Sequence, residues 1–147
     1  MKVRKIIMNN KKLMKVLMMI YIGLIFIYPF LLGRNVSDIN GSLPFFEKLV
    51  QNTNLIPFNY NFDINLNIIV KNVVFKILMF VPLGIYLKKE VSFKQGICVL
   101  IAIILVKEIF HLVTFVGYFD INDFILYVIG YFIGWGLFKV DTAKLLR

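Results

Sequence analysis

Seven polar side chains stand out because each lies in or beside an apolar run: Asn72, Lys76, Glu108, His111, Asp120, Asp123 and Tyr127. Lysine offers a cation to an anionic group, whereas carboxylates accept hydrogen bonds from cations or hydroxyls and act as general bases in a partly dry site. Asn72 and Lys76 are four apart and Glu108 and His111 three apart, so on a helix each pair shares a face. Asp120, Asp123, Tyr127, Gly130 and Gly134 recur at 3-4-3-4, one continuous stripe, and the Gly130-xxx-Gly134 pair admits a neighbouring backbone at close range. Three chemistries suit this set: a ligand-binding pocket, acid–base catalysis by Glu108 or Asp123, and a proton relay. The relay ranks last, because no acidic residue lies in the inner half of any apolar run. The strongest catalytic version would hold a metal between Glu108, His111, Asp120 and Asp123. No clear nucleophile, phosphate loop or metal spacing accompanies these residues, so neither a metal nor a cofactor is expected.

Structural roles compete with the functional ones. Lys76 and Glu108 would also serve as a buried ion pair holding two helices together. Asp120 precedes a helix and suits an N-cap, where a carboxylate accepts free N–H groups. A lone histidine such as His111 is more often a hydrogen-bonded helix contact than a ligand. Lys71 and Lys107 are expected to snorkel or pair locally, with no role in the site.

The elements that must carry these residues are set by composition. Of 147 residues, 60% are hydrophobic and only 17% charged, with a mean hydropathy of +0.82. Ordinary soluble domains have about 45–50% apolar and about 25% charged residues. The single cysteine, Cys98, excludes a disulfide framework, and the single histidine excludes a two-histidine zinc motif. The net charge of +9 is not a nucleic-acid signal, because the basic residues flank apolar runs instead of forming a face.

Four runs are long enough to cross about 30 Å of hydrocarbon: residues 13–33, 68–87, 97–116 and 121–138. The fold class expected is therefore all-α, a polytopic bundle of four transmembrane helices. One domain, residues 13–138, follows a basic arm at 1–12 and precedes a tail at 139–147. The first run is too long for a signal-peptide core and no small-residue cleavage site follows it. Lys and Arg number six in the N-terminal arm (counted through Lys15), three in the loop from Lys88 to Gly96 and three in the tail. The long loop from Arg34 to Asn67 carries two and the turn from Gly117 to Asp120 none. Twelve against two places both termini in the cytoplasm and the long loop outside, in a plasma membrane; the excess of Asn, Ile, Lys and Phe resembles that of a low-GC bacterium. Within the long loop, residues 43–50 are amphipathic and suit either an interfacial helix or a plain loop with lipid-touching aromatics.

Depth then arranges the polar groups in two layers. Counted from the outer ends of their runs at 1.5 Å per residue, Asn72, His111 and Asp123 lie about one turn deep, and Lys76, Glu108 and Tyr127 about two turns deep. Ionisable groups there cost about 2.5–3.5 kcal/mol each on insertion scales and face a bundle interior or cavity. The three helices are thus expected to turn these groups toward one outward-facing pocket. Pro82, inside the second run, is read either as a kink that opens the bundle or as a tolerated bend. Pro57 biases Ile56 to an extended conformation, laying residues 54–58 across the mouth.

Several of these stretches form a pattern. Asn54-Leu55-Ile56-Pro57-Phe58 precedes the second run. Asn72 and Phe80-Val81-Pro82-Leu83-Gly84 lie within that run. Glu108 lies in the third, and Asp120-Ile121-Asn122-Asp123 is followed by Gly130 and Gly134. Together they resemble the VanZ-like family of small bacterial membrane proteins, over residues 54–138. The resemblance implies a cell-envelope role and an association with lowered susceptibility to teicoplanin and related lipoglycopeptides. The partners expected are membrane lipids and, as ligand, a lipid headgroup, a lipid-linked wall precursor or a lipoglycopeptide; nucleic acid is not among them. Three positions depart from the family pattern. His111 stands for a glutamine, Gly117-Tyr118-Phe119 replaces a stretch that often carries an arginine, and Tyr127 stands for an asparagine. All three fall at the expected pocket.

Overall fold

The structure, a computed structural model, describes residues 2–31, 43–58, 66–115 and 118–137. The elements run α1 (Lys2–Leu31), α2 (Phe45–Gln51), β1 (Thr53–Asn54), α3 (Leu66–Glu90), α4 (Phe93–Thr114), β2 (Phe119–Asp120) and α5 (Ile121–Leu137). Internal packing divides the chain into two units, Met1–Gly33 and Arg34–Arg147. The described helices match the expected all-α class, and the two-residue strands add only a local clip. The tail at 139–147 and the last residues of the expected first, third and fourth runs lie outside the described residues.

The first unit is one helix. It begins at Lys2, ahead of the apolar run, because Lys, Arg, Met and Ile are adequate helix formers and neither glycine nor proline precedes Gly23.

In the second unit α3 and α5 form the principal packed pair, and α4 touches both more lightly. Glycine explains the tightness. A Cβ at Gly130 would overlap the Ile77 carbonyl, one at Gly134 the Val81 carbonyl, and one at Gly84 the Tyr131 carbonyl. Ile77 meets Gly130, Val81 meets Gly134 and, farther on, Lys88 reaches Trp135, so α3 and α5 run in the same direction. Along α4 the order reverses: Gly96 meets Tyr131 and Trp135, while Lys107 lies over the Tyr127 ring. The core between them holds Phe80, Leu83 and Leu87 of α3, Leu100 and Ile104 of α4, and Leu126, Tyr127 and Tyr131 of α5. Phe80 stacks on Tyr127 with ring centroids 4.4 Å apart.

Helix ends are secured by side chains. Gln95 Oε1 accepts the Ser92 backbone N–H at 3.1 Å and its hydroxyl at 2.9 Å, one half of a capping box at the start of α4. Lys88 Nζ donates to the Trp135 carbonyl at 2.6 Å, satisfying the last turn of α5. α3 continues as one helix through Pro82.

α3 and α4 are long and apolar enough to cross a membrane, with mean hydropathies of 2.0 and 2.4. Only 17% and 33% of their apolar windows are buried inside the protein, which is unlike the core helix of a soluble domain. Leu78, Val106, Ile109 and Val113 are more than half exposed, a surface suited to lipid. α5 spans 17 residues, about 25 Å at 1.5 Å per residue, and is the shortest of the long helices.

Candidate functional site

The polar residues fall into two groups. The first is a clip joining the chain before α3 to the start of α5. β1 and β2 pair in parallel, Thr53 opposite Phe119 and Asn54 opposite Asp120, and the Phe119 N–H donates to the Asn52 carbonyl at 2.8 Å. Asp120 Oδ1 accepts the Asn122 N–H at 2.9 Å, which caps α5, and Asn54 Nδ2 at 3.1 Å. Asn54 Oδ1 in turn accepts the Ile56 N–H at 3.2 Å. Past Pro57 the backbone of Phe58 turns left-handed, with φ 60°, and its N–H donates to Asn122 Oδ1 at 2.6 Å. A left-handed conformation is costly for a bulky residue and survives only where its surroundings hold it. Asp120 therefore serves as cap and tether, and residues 54–58 lie against the start of α5.

Beside the clip, α2 settles the choice left open for residues 43–50 in favour of a helix. Its Phe45 meets Phe115 edge-to-face at 5.7 Å, and Thr53 Oγ1 donates to the Leu49 carbonyl at 2.7 Å. Phe46 and Val50 are exposed.

The second group is a chain of contacts across α3, α4 and α5. Lys76 pairs with Asp123 Oδ1. The Tyr127 hydroxyl donates to Asp123 Oδ2 at 3.3 Å. Lys107 Nζ sits 4.6 Å from the centroid of the Tyr127 ring, a cation–π contact. The same ammonium donates to Glu108 Oε1 at 2.9 Å and stands 3.5 Å from His111 Nδ1. Lys107, Glu108 and His111 are buried, at 2%, 1% and 5% exposure, whereas the Lys76 and Asp123 side chains keep 32% and 14%. Solvent thus reaches the Lys76 end of the chain first.

This arrangement corrects one expectation and decides another. Lys76 does not pair with Glu108; it lies on the α3 face that meets α5, and its partner is Asp123. Of the two alternatives for Lys107, snorkelling and local pairing, the structure takes the second, with the adjacent Glu108. Lys107 is among the most buried side chains, because a carboxylate, an imidazole nitrogen and an aromatic face take its three N–H groups. The expected layers also mix, since Lys76 and Tyr127 of the deeper layer both bind Asp123 of the shallower one. Asn72 is exposed on α3 and lies outside this chain of contacts. Asn122, not singled out from the sequence, is 2% exposed and holds the clip; its only sequence signal is its place between two aspartates.

Pairing does not use every atom. Glu108 Oε2, His111 Nε2 and Asn122 Nδ2 are buried with no hydrogen-bond partner among the described residues. The metal version of the catalytic reading meets a geometric obstacle. Among the described residues, no three of His, Cys, Asp and Glu come close enough together to hold an ion. Asp120 is engaged in the clip, and Glu108 faces a lysine.

The helical fold, with two helices long and apolar enough to span a bilayer, is consistent with a membrane protein. The family model described as VanZ/LLP1 matches residues 15–144, and the chain belongs to that family. No curated protein and no solved structure matches the chain.

Proposed function

We propose that the protein is a multi-pass cell-envelope protein that crosses a bacterial plasma membrane four times, with both termini in the cytoplasm. Its polar cluster, open toward the outer side near Lys76, binds an amphiphilic ligand: a lipid headgroup, a lipid-linked wall precursor or a lipoglycopeptide. Capture of a lipoglycopeptide there would lower susceptibility to it. The opposed directions of α4 and of the α3–α5 pair fit alternating passes, and the excess of Lys and Arg in alternate loops supports the orientation.

One observation carries the binding reading over simple structural glue. An ion-pair network that only joined helices would consume its own buried donors and acceptors, since a buried unpaired polar atom costs about 1–3 kcal/mol. Here a carboxylate oxygen and an imidazole nitrogen, on one face of α4, both remain unpaired among the described residues at the buried end of the network. The part-buried Lys76 and Asp123 supply the approach, and α2 lies beside the clip with Phe46 and Val50 exposed and suited to the headgroup layer.

The test is binding of envelope lipids by the purified chain in nanodiscs. An Asp123→Asn and Glu108→Gln double variant is expected to lose affinity at least tenfold, and unchanged affinity would refute the proposal. Deletion followed by susceptibility testing with lipidated and unlipidated glycopeptides checks the amphiphile: a shift confined to the lipidated compound supports it, and equal shifts count against it.

A further inference from the structure

Most polar atoms of the contact chain are already engaged. Lys107 has three N–H donors, directed at Glu108 Oε1, His111 Nδ1 and the Tyr127 ring. It has none left for an anion. Asp123 is also engaged on both oxygens, by Lys76 on Oδ1 and the Tyr127 hydroxyl on Oδ2. An ammonium only donates, so His111 Nδ1 accepts, and the imidazole proton sits on Nε2. What remains is one buried acceptor, Glu108 Oε2, and one buried donor, the N–H at His111 Nε2. Glu108 and His111 are three residues apart on one helix face; Oε1 of the first and Nδ1 of the second turn to the same ammonium, which leaves the other polar atom of each without a partner among the described residues.

Charge points the same way. Two lysines face two carboxylates, and the neutral imidazole adds nothing. A further anion or cation brought into this network would find no free counter-charge and would bear the full cost of its own desolvation. A hydroxyl is the small neutral group that donates to one partner while accepting from another.

We infer that Glu108 Oε2 and His111 Nε2 form a recognition point for a neutral hydroxyl of the sugar or polyol class. The inference rests on the amphiphile-binding reading and specifies which part of the amphiphile enters the buried end of the site. Lys76, at the exposed end, meets what lies nearer the membrane surface.

The full chain in phosphatidylcholine nanodiscs is offered four probes at equal mole fraction. These are diglucosyl-diacylglycerol, the same glycolipid with every hydroxyl methylated, phosphatidic acid, and phosphatidylcholine carrying a mass label. Retained lipid is counted by mass spectrometry after a mild wash. The glycolipid is expected to be enriched at least tenfold over both phosphatidic acid and its methylated form, which can accept but not donate. Glu108→Gln and His111→Phe should each reduce that enrichment about tenfold, with Cys98→Ser as a control that leaves it unchanged. Soluble maltose, which carries the hydroxyls without acyl chains, should not displace the glycolipid.

Equal retention of the native and methylated glycolipids would overturn the inference even if neither Glu108 nor His111 variant folded. Preference for phosphatidic acid would overturn it while leaving amphiphile binding intact. Retention of no probe above the labelled phosphatidylcholine would remove both readings. Enrichment unaffected in folded Glu108→Gln and His111→Phe proteins would place the hydroxyl elsewhere and overturn the assignment. Displacement by maltose would uphold the hydroxyl site but remove the lipid as its source.

Discussion

The two seams of the second unit are built on opposite principles. Between α3 and α5, glycine brings one backbone against another: Gly130 on Ile77, Gly134 on Val81 and Gly84 on Tyr131. Between α4 and that pair, the helices stand farther apart and long side chains fill the gap, among them Lys107, Glu108, His111 and Tyr127. Where backbones touch there is no room for side chains, so the α3–α5 seam holds its one ion pair, Lys76 with Asp123, nearer the start of α5 than those glycines, whereas the wider seam holds buried charges between the helices. The first seam fixes the geometry that the second requires, because Asp123 and Tyr127 are placed by the same α5 stripe that carries Gly130 and Gly134.

The contrast breaks most sharply at Lys107. Lys107→Met leaves the Glu108 carboxylate buried and uncompensated, a loss of about 3–5 kcal/mol. The double variant Lys107→Met with Glu108→Met removes both charges and should recover to within about 1 kcal/mol of wild type by thermal unfolding in nanodiscs. A double variant as unstable as the single one would mean that the pair is not the source of the cost. In the tight seam, Gly134→Ala forces a methyl against the Val81 carbonyl and should destabilise by about 1–3 kcal/mol. Gly136→Ala, two residues on with open space around it, should be neutral or slightly stabilising through helix propensity. Similar melting shifts at the two positions would contradict the close approach. The smallest effect lies at the clip. Asn54→Ala deletes the bonds to Asp120 and to the Ile56 N–H, worth about 1 kcal/mol together at a partly exposed site. Its clearest readout is faster amide exchange at Ile56, and unchanged protection there would count against the tether.

Much of the tight seam was legible in the sequence. The spacing of Asp123, Tyr127, Gly130 and Gly134 names one face of α5, and small residues at that spacing need a close neighbour. The wide seam was harder to read. α4 is apolar nearly all round, so its periodicity does not mark an inward face, and Lys107 looked as suited to the lipid boundary as to the core. The signal was present, since Leu100, Ile104, Lys107, Glu108 and His111 follow the helical repeat. It becomes unambiguous only once the partners on α5 are in place. Partner choice failed for the same reason: depth along each helix puts Lys76 level with Glu108, but only the rotation of α3 decides that it meets Asp123. The clip was half legible. Residues 54–58 were expected across the mouth, but a two-residue strand pairing over 66 positions of sequence leaves no periodic trace, and Asn122 was hidden between two more conspicuous acids.

The bond from Phe58 to Asn122 joins a main-chain donor to a side-chain acceptor, so its two ends differ in what substitution can do to them. Any residue that tolerates the left-handed turn can stand at 58 and still offer the same N–H; glycine would do so with less strain. At 122 the amide oxygen itself is the fastening. The latch is therefore written on one side only, and residue 58 is free to vary its side chain without giving up this bond to the start of α5.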